Sequence, residues 1–209
     1  MDPADQLAQQ LDRSLNAPGN GGVFHAILTL LAEGNPVPKA AVARALGLSE
    51  PDIAPVLAEI PSLEFDEAGH IVGAGLSLRP TPHQVEIGGR QLYTWCALDT
   101  LIFPVLLGRT ARVISPCAAT GLPVRLRVGP KKVRDLEPAS AVVSLQLFEG
   151  NRDVRKAFCP HSNFFASEEA AASWLRAHPD GWVLPVGQAH PLALDVARRI
   201  ENRPGPKCC

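Results

Sequence analysis

Three short segments with helical periodicity, each closed by glycine or proline, precede a strand–turn–strand pattern and constrain the first part of this 209-residue chain most tightly. Phe24 to Ala32 is apolar with helical spacing and stops at Glu33-Gly-Asn-Pro36. Val37 to Gly47 is a second short helix ended by its glycine. Ser49 opens a third that runs to about Glu59, with the serine as N-cap and Pro51 in the first turn. Leu63 to Gly73 then reads as strand, turn, strand. Three helices and a hairpin in that order predict a winged helix-turn-helix over residues 24–78. Upstream, Leu7, Leu11 and Leu15 recur every fourth position, predicting a leading helix over Asp2 to Leu15. A connector, Asn16 to Gly22, separates it from the module.

A winged helix suggests DNA, but the charges point away from it. Between Ser49 and Leu78 there is no Lys or Arg, while Glu50, Asp52, Glu59, Glu64, Asp66 and Glu67 are acidic. Phosphates repel a recognition helix and wing of that sign. The whole chain offers no compensation, with 20 basic against 21 acidic residues. No nucleic-acid partner is expected, and the module should pack on the second half.

After Arg79-Pro-Thr-Pro82 the pattern changes. His83 to Ile87 and Arg90 to Tyr93 read as strands joined across Gly88-Gly89, and Val124 to Val128 and Ala141 to Leu147 as two more. Trp95 to Leu107 is a helix that Pro104 should end or kink. Glu168 to Ala177 is a helix capped by Ser167, and Val196 to Ile200 lies in a last one. The expected class is α+β, with a winged-helix-like domain over residues 1–80 packed on a mixed α/β core with antiparallel strands over 81–209. The N-terminus, MDPADQLAQQ, lacks the basic start and apolar core of a secretory signal. The longest apolar stretch, Ala97 to Gly108, is interrupted and too short for a bilayer. A soluble cytoplasmic protein without membrane contact is expected.

In that compartment the five cysteines (96, 117, 159, 208 and 209) remain thiols. Cys96 and Asp99 are spaced to share one helical face. A helix beginning at Trp95 or Cys96 would favour a thiolate, while the carboxylate would oppose it, so the two should titrate jointly. A carboxylate that takes a thiol proton and returns it is a general base and then a general acid. The competing reading is a buried free cysteine beside a helix-capping Asp. Cys159 lies in Phe158-Cys159-Pro160-His161, and Cys117 in a turn between strands. No two cysteines have the spacing of a zinc site, and His161 reads as structural.

The run Arg90 to Pro104 (RQLYTWCALDTLIFP) resembles the signature of the bacterial organomercurial (alkylmercury) lyases. So do Leu107 to Val113, Cys117-Ala-Ala-Thr-Gly121, Leu136-Glu-Pro138, Asp153 to Cys159, and Phe164-Phe-Ala-Ser167. The likeness is dense from about 88 to 167 and fades beyond about 175. It implies Cys96 and Cys159 as catalytic thiols that hold the mercury product, Asp99 as the catalytic carboxylate, and a structural role for Cys117. Pro160 departs from members that carry another cysteine there.

The implied reaction is protonolysis of R–Hg⁺ to a hydrocarbon and Hg(II), as in bacterial mercury detoxification. Mercury(II) is soft and prefers thiolates, so two of them enrich the Hg–C bond in electrons and make carbon more basic. Such chemistry needs no organic cofactor. External small thiols, or a mercuric reductase, would take the ion from a monomer or weak dimer. Trp95, Phe158 and Phe164 either line a pocket for R or belong to the core. Cys208-Cys209 is either an incidental solvated end or a mobile dithiol that extracts Hg(II). The alternative function is non-catalytic: a thiol-based metal-binding protein, either a winged-helix sensor or a metallochaperone.

Overall fold

The computed structural model describes residues 2–15, 22–60, 62–149 and 153–201. The first helix, α1 (Pro3–Leu15), buries Leu7 and Leu11, the stripe its spacing predicts. The winged-helix helices follow as α2 (Val23–Leu31), α3 (Lys39–Leu46) and α4 (Glu50–Ala58). Gly47 ends α3 in a left-handed conformation (φ 68°), and Ser49 Oγ caps α4 by accepting from the Asp52 N–H. The wing is the antiparallel pair β1 (Glu64–Phe65) and β2 (Ile71–Ala74).

The wing is not a free hairpin. It continues through β3 (Leu76–Ser77) into the hairpin β4 (His83–Ile87) and β5 (Arg90–Thr94). Helix α5 (Asp99–Leu106) follows, then β6 (Ala111–Pro116), β7 (Pro123–Val128) and β8 (Val133–Glu137). These strands form one eight-stranded antiparallel sheet in the order β1-β2-β3-β5-β4-β6-β7-β8. Alternation in β6 and β7 buries Val113, Val124, Leu126 and Val128 against α5 and exposes the arginines between them. Glu33, just beyond α2, pairs with Arg90 (3.3 Å), accepts from Arg109 (3.0 Å) and ties the helical module to this sheet.

A second sheet has the order β10-β9-β11, built from β9 (Val142–Gln146), β10 (Phe164–Phe165) and β11 (Gly181–Pro185). Between β9 and β10 lie the one-turn α6 (Val154–Ala157) and a 3₁₀ turn, Cys159–His161. Helix α7 (Glu168–Ala177) is capped by Ser167 as its sequence predicts. The last helix, α8 (Val186–Glu201), packs on α5 and on α1, so both ends of the described chain meet over the core. Among the described residues, no helix is long and apolar enough to cross a membrane.

Two expectations need correction. Helix α5 starts at Asp99, not at Trp95 or Cys96, because residues 95–98 form a turn held by the second half. It also continues past Pro104: the ring removes one ladder bond, and the burial of Leu101, Ile102, Phe103 and Leu106 holds the last turn. The last helix contains Val196 to Ile200 as expected and extends back to Val186, across Gly187 and Pro191, which mask its periodicity.

Gly75, in the β2–β3 turn, has φ 85°, and a Cβ there would lie 2.5 Å from Phe103 Cζ of α5. Gly75→Ala is expected to destabilise the fold by roughly 2–4 kcal/mol, combining backbone strain with overpacking. Urea denaturation measures this, and coincident midpoints for parent and variant would refute the packing described.

Candidate active site

Strand β5 ends at Thr94, and the chain turns sharply into α5. Thr94 Oγ1 donates to the Cys96 carbonyl (3.0 Å), and Thr100 Oγ1 to that of Ala97 (2.6 Å). The second half supplies the other partners. Ala97 N–H donates to the Ser162 carbonyl (3.0 Å), and Leu98 N–H to Ser162 Oγ (3.1 Å). Ser162 is fully buried and follows the 3₁₀ turn that carries Cys159. Two bonds to one serine thus seat the Cys96 turn on the Cys159 turn, 64 positions away along the chain.

Ser144 of β9 fixes the far side of that turn. Its Oγ donates to the His161 carbonyl (2.7 Å) and accepts from the Asn163 N–H (3.0 Å). As a result, one ligand atom each from Cys96, Asp99 and Cys159 lies within 4.8 Å of the others. Both cysteines are buried and reduced. Asp99 is partly buried, and its Oδ2 is shielded from solvent without a hydrogen-bond partner among the described residues.

Burial dominates the electrostatics. It pushes the Cys96 thiol up, and the Asp99 charge adds to the effect. The Cys159 thiol is raised well above its ordinary value, first by its hydrogen bond with Cys96 and then by burial, while Arg155 alone among its charged neighbours pulls it down. Asp99 rises from 3.8 to about 7, again through burial. The expected helix-terminus activation of Cys96 is therefore corrected: the cysteine precedes the helix, and at rest it is a thiol. The expected pairing of Cys96 with Asp99 is present, made by the turn rather than by one helical face.

Cys117 is buried away from this trio. It follows β6, accepts from the Ala166 N–H (3.3 Å), and its neighbour Ala118 N–H donates to the Phe164 carbonyl (2.8 Å). It thereby joins the large sheet to β10. Burial raises its pKa, but donors from the Thr120 side chain and from the Ala166, Ala119 and Thr120 backbone outweigh it and leave the thiol lowered. Of the three aromatic residues expected near the site, Phe158 and Phe164 are core side chains with 1% and 0% exposure. Trp95 is partly exposed, and Arg155 lies over its ring, 4.7 Å from the centroid. Cys208 and Cys209 lie outside the described residues.

Residues 76–198 match the family described as alkylmercury lyase, and residues 2–75 match its helix-turn-helix domain. The chain belongs to the alkylmercury lyases. It is 44% identical over 214 residues to the alkylmercury lyase of Streptomyces lividans, covering 98% of this chain and all of that one. The Staphylococcus epidermidis alkylmercury lyase is 45% identical, covering 98% and 95% of the two chains. The fold is similar to the crystal structure of the mercury-bound form of MerB2, with TM-score 0.78 and 25% identity over 94% of this chain and 99% of that one. The expected family, the α+β class and the lyase activity agree with these findings. The winged module is thus a lyase's helix-turn-helix domain.

Sequence reasoning named the three groups at the centre and missed Ser162, Ser144 and Arg155. Arg155 lies inside the Asp153 to Cys159 motif, which was a usable signal; the serines have no local signature.

The raised Asp99 carries a stability signature. Between pH 3.8 and about 7 the native protein keeps a proton that the unfolded chain releases. Its contribution is therefore full below 3.8 and is lost as pH rises through about 7. Asp99→Asn is expected to melt above the parent at pH 8, with the gap closing toward pH 4. A gap independent of pH in calorimetric melts would contradict the raised value.

Proposed function

We propose that Cys96, Cys159 and Asp99 carry the lyase reaction of this protein, the protonolysis of the carbon–mercury bond. The observation that supports this is the juxtaposition of two buried thiols with a carboxyl group whose pKa is raised to about 7. Near neutrality such a group can hold a proton or give it up, as an acid–base catalyst must.

The steps balance without an external oxidant. R–Hg–X enters, Asp99 takes the proton of Cys96, the Cys96 sulfur–mercury bond forms and X⁻ leaves. Cys159 then adds to mercury, and its proton leaves with X⁻ to solvent. Two thiolates on a soft ion load electron density onto the Hg–C bond. Asp99 delivers its proton to carbon, the Hg–C electron pair stays with carbon, and R–H departs. Mercury remains in the +2 state between Cys96 and Cys159. Trp95 walls the space for R, while Phe158 and Phe164 belong to the buried core. Cys117 has a structural role, holding β10 to the large sheet.

In this reading the protein works in the cytoplasm as a monomer or weak dimer and uses no organic cofactor. Small thiols remove Hg(II), and a mercuric reductase receives it. Cys208 and Cys209 serve as an auxiliary dithiol in that transfer. Truncation after Lys207 tests this last point: unchanged Hg(II) release without added thiols rejects it.

Headspace measurement of benzene from phenylmercury, under excess thiol, tests the reaction. The parent is expected to release benzene stoichiometrically. Cys96→Ala and Cys159→Ala are each expected to fall to the uncatalysed background, whereas Cys117→Ser turns over with a lowered melting temperature. Turnover retained by Cys159→Ala would overturn the two-thiol reading.

A further inference from the structure

The wing is the unexplained part of a lyase whose helix-turn-helix module lacks basic residues on its recognition-like face. Its first strand carries Glu64, a carboxylate whose side chain is only 6% exposed. A buried carboxylate needs partners, and Glu64 has two: Ser77 Oγ donates to Oε2 (2.7 Å), and an Arg155 guanidinium nitrogen lies 2.5 Å from Oε1. The facing residue on β2 is Gly73, where a Cβ would lie 1.9 Å from Glu64 Oε2. The sheet thus leaves room at that position for the carboxylate.

Arg155 connects this carboxylate to the active site. Its guanidinium covers the Trp95 ring, and Trp95 adjoins Cys96. Trp95 is itself held next to the wing, because its backbone N–H donates to the Gly75 carbonyl (2.9 Å) in the turn after β2. A second contact runs in parallel. Ser62, just before β1, donates to Asp153, which caps α6 and pairs with Lys156 (3.3 Å). Ser62, Leu63, Asp153, Arg155, Lys156 and Pro160, the residue after Cys159, line an open depression of about 550 Å³. Both cations on its wall are matched by carboxylates, one from the wing and one gripped by it.

We propose that Glu64 is a positioning and specificity-determining residue for the lyase reaction: it holds Arg155 over Trp95 and cancels its charge, so that the mouth receives organic groups by apolar surface rather than by charge. This inference rests on Cys96, Asp99 and Cys159 as the reacting groups, and it assigns the wing a place in substrate selection. Uncompensated, either partner would leave a full charge at the entrance. Freed Arg155 would attract an organic group bearing a carboxylate, and freed Glu64 would repel it.

The test is the ratio of kcat/KM for 4-carboxyphenylmercury to that for phenylmercury, read as benzoate and benzene release under excess thiol. Glu64→Gln is expected to raise this ratio about fivefold, the scale of one charge acting across a partly solvated mouth. Arg155→Met is expected to lower it by a similar factor. The double variant should return it to near the parent value. A merely structural wing would change both substrates alike, so an unchanged ratio in soluble, folded single variants overturns the proposal, as does a shift of both in the same direction. If Glu64→Gln fails to fold, the downward shift in Arg155→Met still decides. Loss of the three-residue assignment would appear separately, as turnover surviving Cys159→Ala, and would leave these ratios measurable.

Discussion

Two hydrogen bonds to Ser162 hold this active site together. The Cys96 turn and the Cys159 turn are remote in sequence, and both lie outside the strands and the helix that flank them. Ser162 accepts one backbone N–H at its carbonyl and one at its hydroxyl, while Ser144 and the Cys117 turn brace the same segment from the other side. Buried backbone donors must find acceptors, so these bonds are requirements of folding as well as of function. The geometry that gathers two thiols and a carboxylate is therefore as stable as the junction between the two sheets.

The same burial sets the chemistry. Exposed thiols and an exposed carboxylate would hold ordinary values, and the carboxylate would be fully ionised at neutral pH. Pressed against the thiols in a largely apolar setting, Asp99 titrates near pH 7 rather than at 3.8, so it can be ionised to take a proton and protonated to return one, while the thiols hold theirs at rest. In the proposed reaction, the proton that Asp99 takes from Cys96 is the one it returns to carbon. The cost is a buried carboxyl oxygen without a hydrogen-bond partner among the described residues, a local instability that the surrounding apolar core offsets.

Much of the fold was legible in local patterns. The Ser167 cap of α7, the Ser49 cap of α4 and the glycine that ends α3 follow from side-chain chemistry within a few residues. The elements that escaped are those whose existence depends on distant partners. Strand β10 has two residues and exists because β9 pairs with it; β11 exists because β9 offers its other edge. The start of α5 was misplaced because the turn at 95–98 is dictated by Ser162, not by its own periodicity. The site divides in the same way. Cys96, Asp99 and Cys159 were readable from motifs, whereas Glu64 looked like one more acidic residue on a wing, since Arg155 is remote in sequence.

The wing is built into the lyase core rather than held out from it. Its strands are the edge of the core sheet, its Glu64 faces inward, and the turn at Gly75 holds Trp95 beside Cys96. The central claim is that Asp99 carries the proton to carbon after the thiols have captured mercury. The most direct measurement is intact-protein mass spectrometry of Asp99→Asn after one equivalent of phenylmercury, alongside headspace benzene. The account expects a phenylmercury adduct on the protein and no benzene. Benzene released at the parental rate, leaving bare Hg(II) on the thiols, would contradict it.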